Sequence, residues 1–192
     1  MHVTTEALFT QARTARGYLP DEVPDATLQA IYELMKFGPT SGNCTPLRIV
    51  FVRTPDARET LAQCMNPGSN QAKVRAAPVT AILGSDLAFT DRLPRLFPSA
   101  DAQSWYAGNP AKTTDAAIRN AHIQVGYFIV AARALGLDAG PMGGFDGGAV
   151  DAAFWPSTPK RSIVICTLGH GDASRLHPRD PRLAFDEACS FA

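Results

Sequence analysis

Apolar residues recur at helical spacing over four stretches of this chain and crowd into short runs over four others. The two patterns alternate along the sequence. Residues 4–14 read as a short helix. A second helix starts at Asp25, which can cap it, presents Leu28, Ile31, Leu34 and Met35 on one face, and stops at Gly38. Residues 56–65 are helical by the same criterion. The longest helix covers 113–135, where Ile118, Ala121, Val125, Phe128, Ile129, Ala132 and Leu135 form a wide apolar face closed by Gly136. Leu47–Val52, Ala77–Leu83, residues 137–142 and residues 162–168 are β-rich runs, predicted as strands. Residues 86–110 are irregular, broken by Pro94, Pro98 and Pro110 and carrying Phe89, Phe97, Trp105 and Tyr106. The tail from Gly169 is polar up to Leu183. Strands alternating with helices predict a sheet covered by helices and, taken alone, a parallel one.

Composition narrows the function classes. A chain of 192 residues suits one domain, residues 1–192. Eighteen Lys and Arg balance eighteen Asp and Glu, so no global field draws the chain to nucleic acid or to an anionic membrane. No apolar run is long enough to span a bilayer. Met1 to Phe9 lacks a basic stretch followed by an apolar one, so no secretory signal is expected there. Cys44, Cys64, Cys166 and Cys189 are scattered, without C-x-x-C or zinc spacing, which predicts reduced thiols, a cytoplasmic protein and no metal site.

Phosphate-loop, dinucleotide-fingerprint and nucleophile-elbow motifs are absent. Four other segments carry candidate chemistry. Arg13-Thr14-Ala15-Arg16 sets two guanidinium groups and a hydroxyl within four residues, able to clamp a phosphate; a solvated basic turn has the same sequence. Gly38-Pro39-Thr40-Ser41-Gly42-Asn43-Cys44-Thr45-Pro46 lets backbone approach a flat ligand, or is a plain helix-to-strand loop. Cys44 within it has neither a nearby base nor a positive neighbour to make it a nucleophile. Asn70 and Lys73 are three apart and share a face if helical, where an amide and an ammonium can read the polar edge of a heterocycle. Pro141-Met142-Gly143-Gly144 bares backbone N–H groups to a ligand plane, or is a tight turn.

In this order and spacing the four segments resemble the nitroreductase-like flavoprotein family. Arg13, Thr14 and Arg16 match its entry motif. Pro39 to Pro46 match its P-S-x-x-N-x-Q-P loop, with Thr40 and Thr45 substituted. Asn70 and Lys73 match its Asn-x-x-Lys pair, and Pro141 to Gly144 its flavin loop. Arg182-Leu183-Ala184-Phe185 matches its terminal Arg-Leu-Pro-Leu, with Ala184 in place of Pro. The stretches Leu34–Ser41, Arg92–Pro98 and Ala134–Met142 resemble the RutE-type malonic semialdehyde reductase subgroup most closely.

The resemblance implies an α+β nitroreductase-like fold, a mostly antiparallel sheet wrapped by helices, in an intertwined homodimer with FMN at the interface. The helix 113–135 would form the dimer core. The Thr40–Ser41 loop, with Asn43, would reach the partner's flavin. Arg13, Arg16 and Arg182, with Thr14 and Arg179, would hold the phosphate. Lys73 would meet the N1–O2 edge, Asn70 the same edge or the ribityl chain, and the Gly143 N–H, beside Pro141, Met142 and Gly144, would point at N5. NADH or NADPH would deliver hydride to N5 in a ping-pong cycle, and a small molecule would accept it. Malonic semialdehyde, giving 3-hydroxypropanoate, is the expected acceptor, with Arg92, Arg95 or Arg119 to meet its carboxylate. A broad nitroaromatic or quinone reductase is the alternative. A flavin-binding protein without turnover is a third, from another class. Phe97, Trp105 and Tyr106 form either a lid or core packing, and His122 a core or interface residue.

Overall fold

The structure, a computed structural model, describes residues 3–192. Its centre is a four-stranded sheet in the order β1-β2-β4-β3, with β1 Leu47–Val52, β2 Val79–Asp86, β3 Asp138–Met142 and β4 Lys160–Gly169. Every neighbouring pair is antiparallel. The parallel sheet suggested by the alternating pattern is therefore incorrect, and the antiparallel sheet implied by the family likeness is present. The hydrophobic runs misled because all eight residues of β2 are buried. A strand covered on both faces loses its polar alternation whichever way its neighbours run.

Residues alternate between the two faces of the sheet. Val79, Ala81 and Leu83 of β2 join Phe128, Leu28 and Ile31 in one cluster, while Ile82 joins Leu61, Met142, Val150 and Trp155 in the other. The first face is covered by α2 (Asp25–Met35) and α6 (Pro110–Ala134). The second is covered by α3 (Pro55–Cys64) and α7 (Gly147–Phe154), with α4 (Ser69–Ala76) packed on α3. Leu83 pairs with Val164 and Gly84 with Ser162, so Ile163 is the extra residue of a bulge. The bulge turns both Ile163 and Val164 toward the α2–α6 face.

Several local expectations are corrected. Helix α1 covers only Thr5–Leu8, not 4–14. Arg133 donates to the Leu8 carbonyl at 3.0 Å, and the chain then runs open to the Tyr18–Gly171 bridge. Asp25 is the first residue of α2 rather than its cap, and pairs instead with Arg53. Gly38 does not have a positive φ; a Cβ there would lie 2.6 Å from the Tyr127 ring, so close packing explains the glycine. Pro110 starts α6 rather than breaking a loop, with the Asn109 side chain accepting from the Lys112 N–H. At the far end Gly136, at φ 80°, takes the left-handed position, and the Leu137 N–H returns to Ala132 O at 3.0 Å. Residues 86–110 contain a short helix, α5 (Leu93–Leu96), and two 3-10 turns. The final short helix, α8, covers Phe185–Ala188.

Candidate active site

The Arg13–Gly17 segment is anchored by its neighbours. Ala15 is buried, and Tyr18 donates through its hydroxyl to Thr167 Oγ1 at 2.7 Å. Burial raises the Tyr18 phenol, which keeps it a donor. Gly140 is required beneath it, since a Cβ there would lie 2.5 Å from Thr167 Oγ1 and 3.0 Å from the Tyr18 hydroxyl. Arg13 is engaged with the His177 carbonyl. Arg179 donates to the Thr10 and Ala12 carbonyls at 2.7 and 3.1 Å. The two ends of the chain thus meet, and Thr14 and Arg16 are left exposed between them.

Arg16 lies within electrostatic reach of Lys73. Helix α4 puts Asn70 and Lys73 on one face as their spacing predicts, and Lys73 Nζ donates to Asn70 Oδ1 at 3.1 Å. Burial, and then the nearby Arg16 guanidinium, push the Lys73 ammonium below its ordinary value. Among the described residues neither Arg16 nor Lys73 has a carboxylate within 4.0 Å. Two cations within electrostatic reach of each other, with no carboxylate close to either, suit an anion.

The Gly143–Gly144 turn lies beside them. The Asn66 N–H donates to Gly144 O at 3.0 Å, and a Cβ on Gly144 would lie 3.4 Å from Asn70 Nδ2. Asn66, missed in the sequence, therefore ties the glycine turn to the segment between α3 and α4. Space is open around Gly143, where a Cβ would meet nothing within 4 Å. Pro141 is exposed, whereas Met142 is buried in the α3–α7 cluster, so its side chain belongs to the core. The structure therefore brings Arg16, Asn70, Lys73, Gly143 and Gly144 together. Arg182 donates to its own neighbours' carbonyls, Asp180 and Pro181, at 2.8 and 3.0 Å.

The Thr40–Ser41 loop lies elsewhere. Asp86 N–H, at the end of β2, donates to Pro46 O, whereas Lys73 O accepts from Ala77 N–H just before β2 begins. The length of β2, roughly 24 Å at about 3.4 Å per residue, separates these anchor points. The loop is held by buried amides of α6. The Ser41 N–H donates to Asn120 Oδ1 at 2.8 Å, and Leu47 N–H to Gln124 Oε1 at 2.9 Å. Gly42, Asn43 and Thr45 all have positive φ. Thr40 Oγ1 accepts the Thr45 N–H within the loop, and Asn43 Nδ2 donates to Leu96 O on α5 at 2.9 Å.

The irregular insert buttresses this loop. Asp86, nearly buried, pairs with Arg48 at 2.8 Å and reaches Arg92 at 3.7 Å. Burial lowers the Arg48 guanidinium, and Asp86 opposes that shift. Trp105 stands over Gly42, where a Cβ would come within 3.2 Å of its ring. Tyr106 and Phe89 pack edge to face in a third small core with Cys44. Burial raises the Cys44 thiol, consistent with a packing role. His122, expected as a core or interface residue, is exposed in the chain, beside the exposed Ile123.

The model of the nitroreductase family matches residues 10–170. A Ralstonia pickettii protein that carries the name NADH dehydrogenase/NAD(P)H nitroreductase HadB is 53% identical over 194 residues, covering 99% of this chain and 98% of that one. A similarly named Stutzerimonas stutzeri protein is 52% identical over 185 residues, covering 96% and 94%. Among solved structures, the nitroreductase ydfN of Bacillus subtilis superposes with a TM-score of 0.87 at 23% identity, over 96% and 97% of the two chains. A nitroreductase from Exiguobacterium sibiricum, solved in complex with FMN, gives 0.87 at 16% identity over 100% and 99%. The chain belongs to the nitroreductase family.

Proposed function

We propose that the chain is an NAD(P)H-dependent flavin oxidoreductase that holds FMN on the Arg16–Lys73–Gly143 surface and works as a homodimer on small-molecule acceptors. One observation carries this: two cations with no counter-charge among the described residues stand near an amide pair and an open glycine backbone. That donor set fits FMN. Arg16, supported by Arg13, Thr14 and Arg179, is the candidate for its phosphate. Lys73 and Asn70 are the candidates for the polar edge of its ring. The open backbone at Gly143 admits a flat ring where a side chain would exclude it.

Bound FMN supplies the hydride chemistry, between NADH or NADPH and the acceptor. The protein contributes orientation and charge. Lys73 keeps a fixed positive charge near the ring edge, and Asn70 restrains its ammonium. The Thr40–Ser41 loop lies at the opposite end of β2 from Lys73, so a second copy of the chain is the source of this loop for the flavin. Tyr32, Leu34, Phe37, Ile123 and Tyr127 are large hydrophobics left exposed on and beside α2 and α6, and offer the surface for that copy. Residues 1–192 act as one FMN-binding unit. Four free cysteines suit the reducing cytoplasm.

Nitroaromatics are the acceptors that the relatives' names favour, and quinones are flat acceptors of similar shape. Malonic semialdehyde, reduced to 3-hydroxypropanoate, is the narrower reading. One observation favours it: the cavity beside Ser41 carries a net positive charge from Lys112, Asp115 and Arg119, which suits a carboxylate. Titrating flavin-free protein with FMN and with riboflavin tests the site. FMN is expected to bind at least tenfold tighter, and Arg16→Ala to remove most of that difference. Equal affinity for both flavins would remove the phosphate assignment.

A further inference from the structure

We propose that the cavity between the Thr40–Ser41 loop and the first half of α6 is an acceptor subsite for a small molecule bearing a carboxylate, and that Lys112 selects it. The inference rests on the oxidoreductase function proposed above. The cavity has a volume of about 560 Å³, within the size range of small-molecule sites. Pro39 and Ile123 give it apolar walls; Ser41, Tyr106 and Asn120 give it neutral polar groups. Its charged groups are Lys112, Asp115 and Arg119. Lys112 and Arg119 are seven residues apart, about two helical turns, and so share a face of α6.

The three charges are not equivalent. Arg119 is bonded to Asp115, one turn away, and the two cancel. Among the described residues, Lys112 has only neutral partners. Its Nζ donates to the Trp105 carbonyl at 2.7 Å and stands 5.4 Å from the centre of the Tyr106 ring. That ring is nearly buried and fixed edge to face against Phe89, with centroids 5.1 Å apart. The ammonium is therefore held in place, with one net positive charge on the cavity wall. A neutral acceptor leaves that charge unanswered, while a monocarboxylate neutralises it. The same ammonium could instead meet the extra phosphate of NADPH, so the test has an arm for each source.

The probes are benzoate and benzyl alcohol, of similar shape and different charge, titrated into the holoenzyme by calorimetry. Lys112→Met is expected to lower the ratio of benzoate to benzyl alcohol affinity about tenfold, and Lys112→Arg to restore it. Lys112→Gln, which also removes the charge, is expected to match Lys112→Met. Steady-state rates give a second readout: the ratio of kcat/KM for para-nitrobenzoate over para-nitrobenzyl alcohol is expected to fall by a similar factor. Unchanged ratios in both measurements would overturn the proposal. So would a loss of preference for NADPH over NADH with the benzoate ratio intact. Protein that never carries flavin would overturn the oxidoreductase function, whereas the benzoate titration would still report on the cavity.

Discussion

The Ser41 N–H donates to the Asn120 Oδ1 at 2.8 Å, joining a loop to a helix across 79 positions of sequence. The same amide donates through Nδ2 to Ala116 O at 2.9 Å, so both ends of the side chain are engaged. Asn120→Leu removes the acceptor and leaves the Ser41 N–H without its protein partner. Such a loss costs about 1–3 kcal/mol, which at this chain length lowers Tm by roughly 5 °C. FMN affinity is expected to fall with it, because the loop loses its fixed position. Thermal unfolding and FMN titration on one preparation check both. A lower Tm with unchanged FMN affinity would separate the loop from the cofactor.

Lys73→Met keeps most of the side-chain volume and removes the charge. FMN is expected to stay bound through Arg16, while the reduction potential of the bound flavin falls. Two unit charges about 4 Å apart interact by roughly 4 kcal/mol at an effective dielectric near 20, and solvent lowers the net effect. Potentiometric titration beside a reference dye reads the change. An unchanged potential would make Lys73 a surface lysine.

The direction of the Lys73 shift gives a pH dependence. Without ligand, burial and Arg16 hold its proton affinity below the ordinary lysine value. An anionic ligand opposes both effects and raises it. The Lys73 contribution to FMN affinity is therefore full below the ligand-free pKa and is lost as pH rises through the higher, bound value. Binding is expected to take up protons in the alkaline range. Calorimetry in two buffers of different ionisation heat checks this, and Lys73→Met should abolish the Lys73 contribution.

The exposed Phe37 and Tyr127 lead to an expectation about assembly. Sedimentation at micromolar concentration is expected to show a dimer, and Phe37→Asp to shift it toward monomer with loss of flavin. A folded, flavin-loaded monomer would show that one chain completes the site unaided.

How much of this was legible in the sequence depended on range. Leu47–Val52 is legible as a strand because its residues are β-rich and mostly apolar. Helical spacing puts Asn70 and Lys73 on one face, and the structure bonds them. Strand direction was not legible, because burial on both faces erased the alternation in β2. Asn66 and Asp86 act through partners 78 and 38 positions away, Gly144 and Arg48, and local spacing carries no record of such pairs. Asn120 and Gln124 did leave a signal. They are polar residues four apart on an otherwise apolar helix face, and buried amides in that position must find partners.

The most direct test of the central claim is an anaerobic absorption spectrum of the purified protein, followed through addition of NADH or NADPH and then of a quinone. The account predicts a flavin spectrum that bleaches with at least one nicotinamide and returns when the quinone is added. A protein that takes up no FMN, or whose bound flavin neither nicotinamide bleaches, would contradict it.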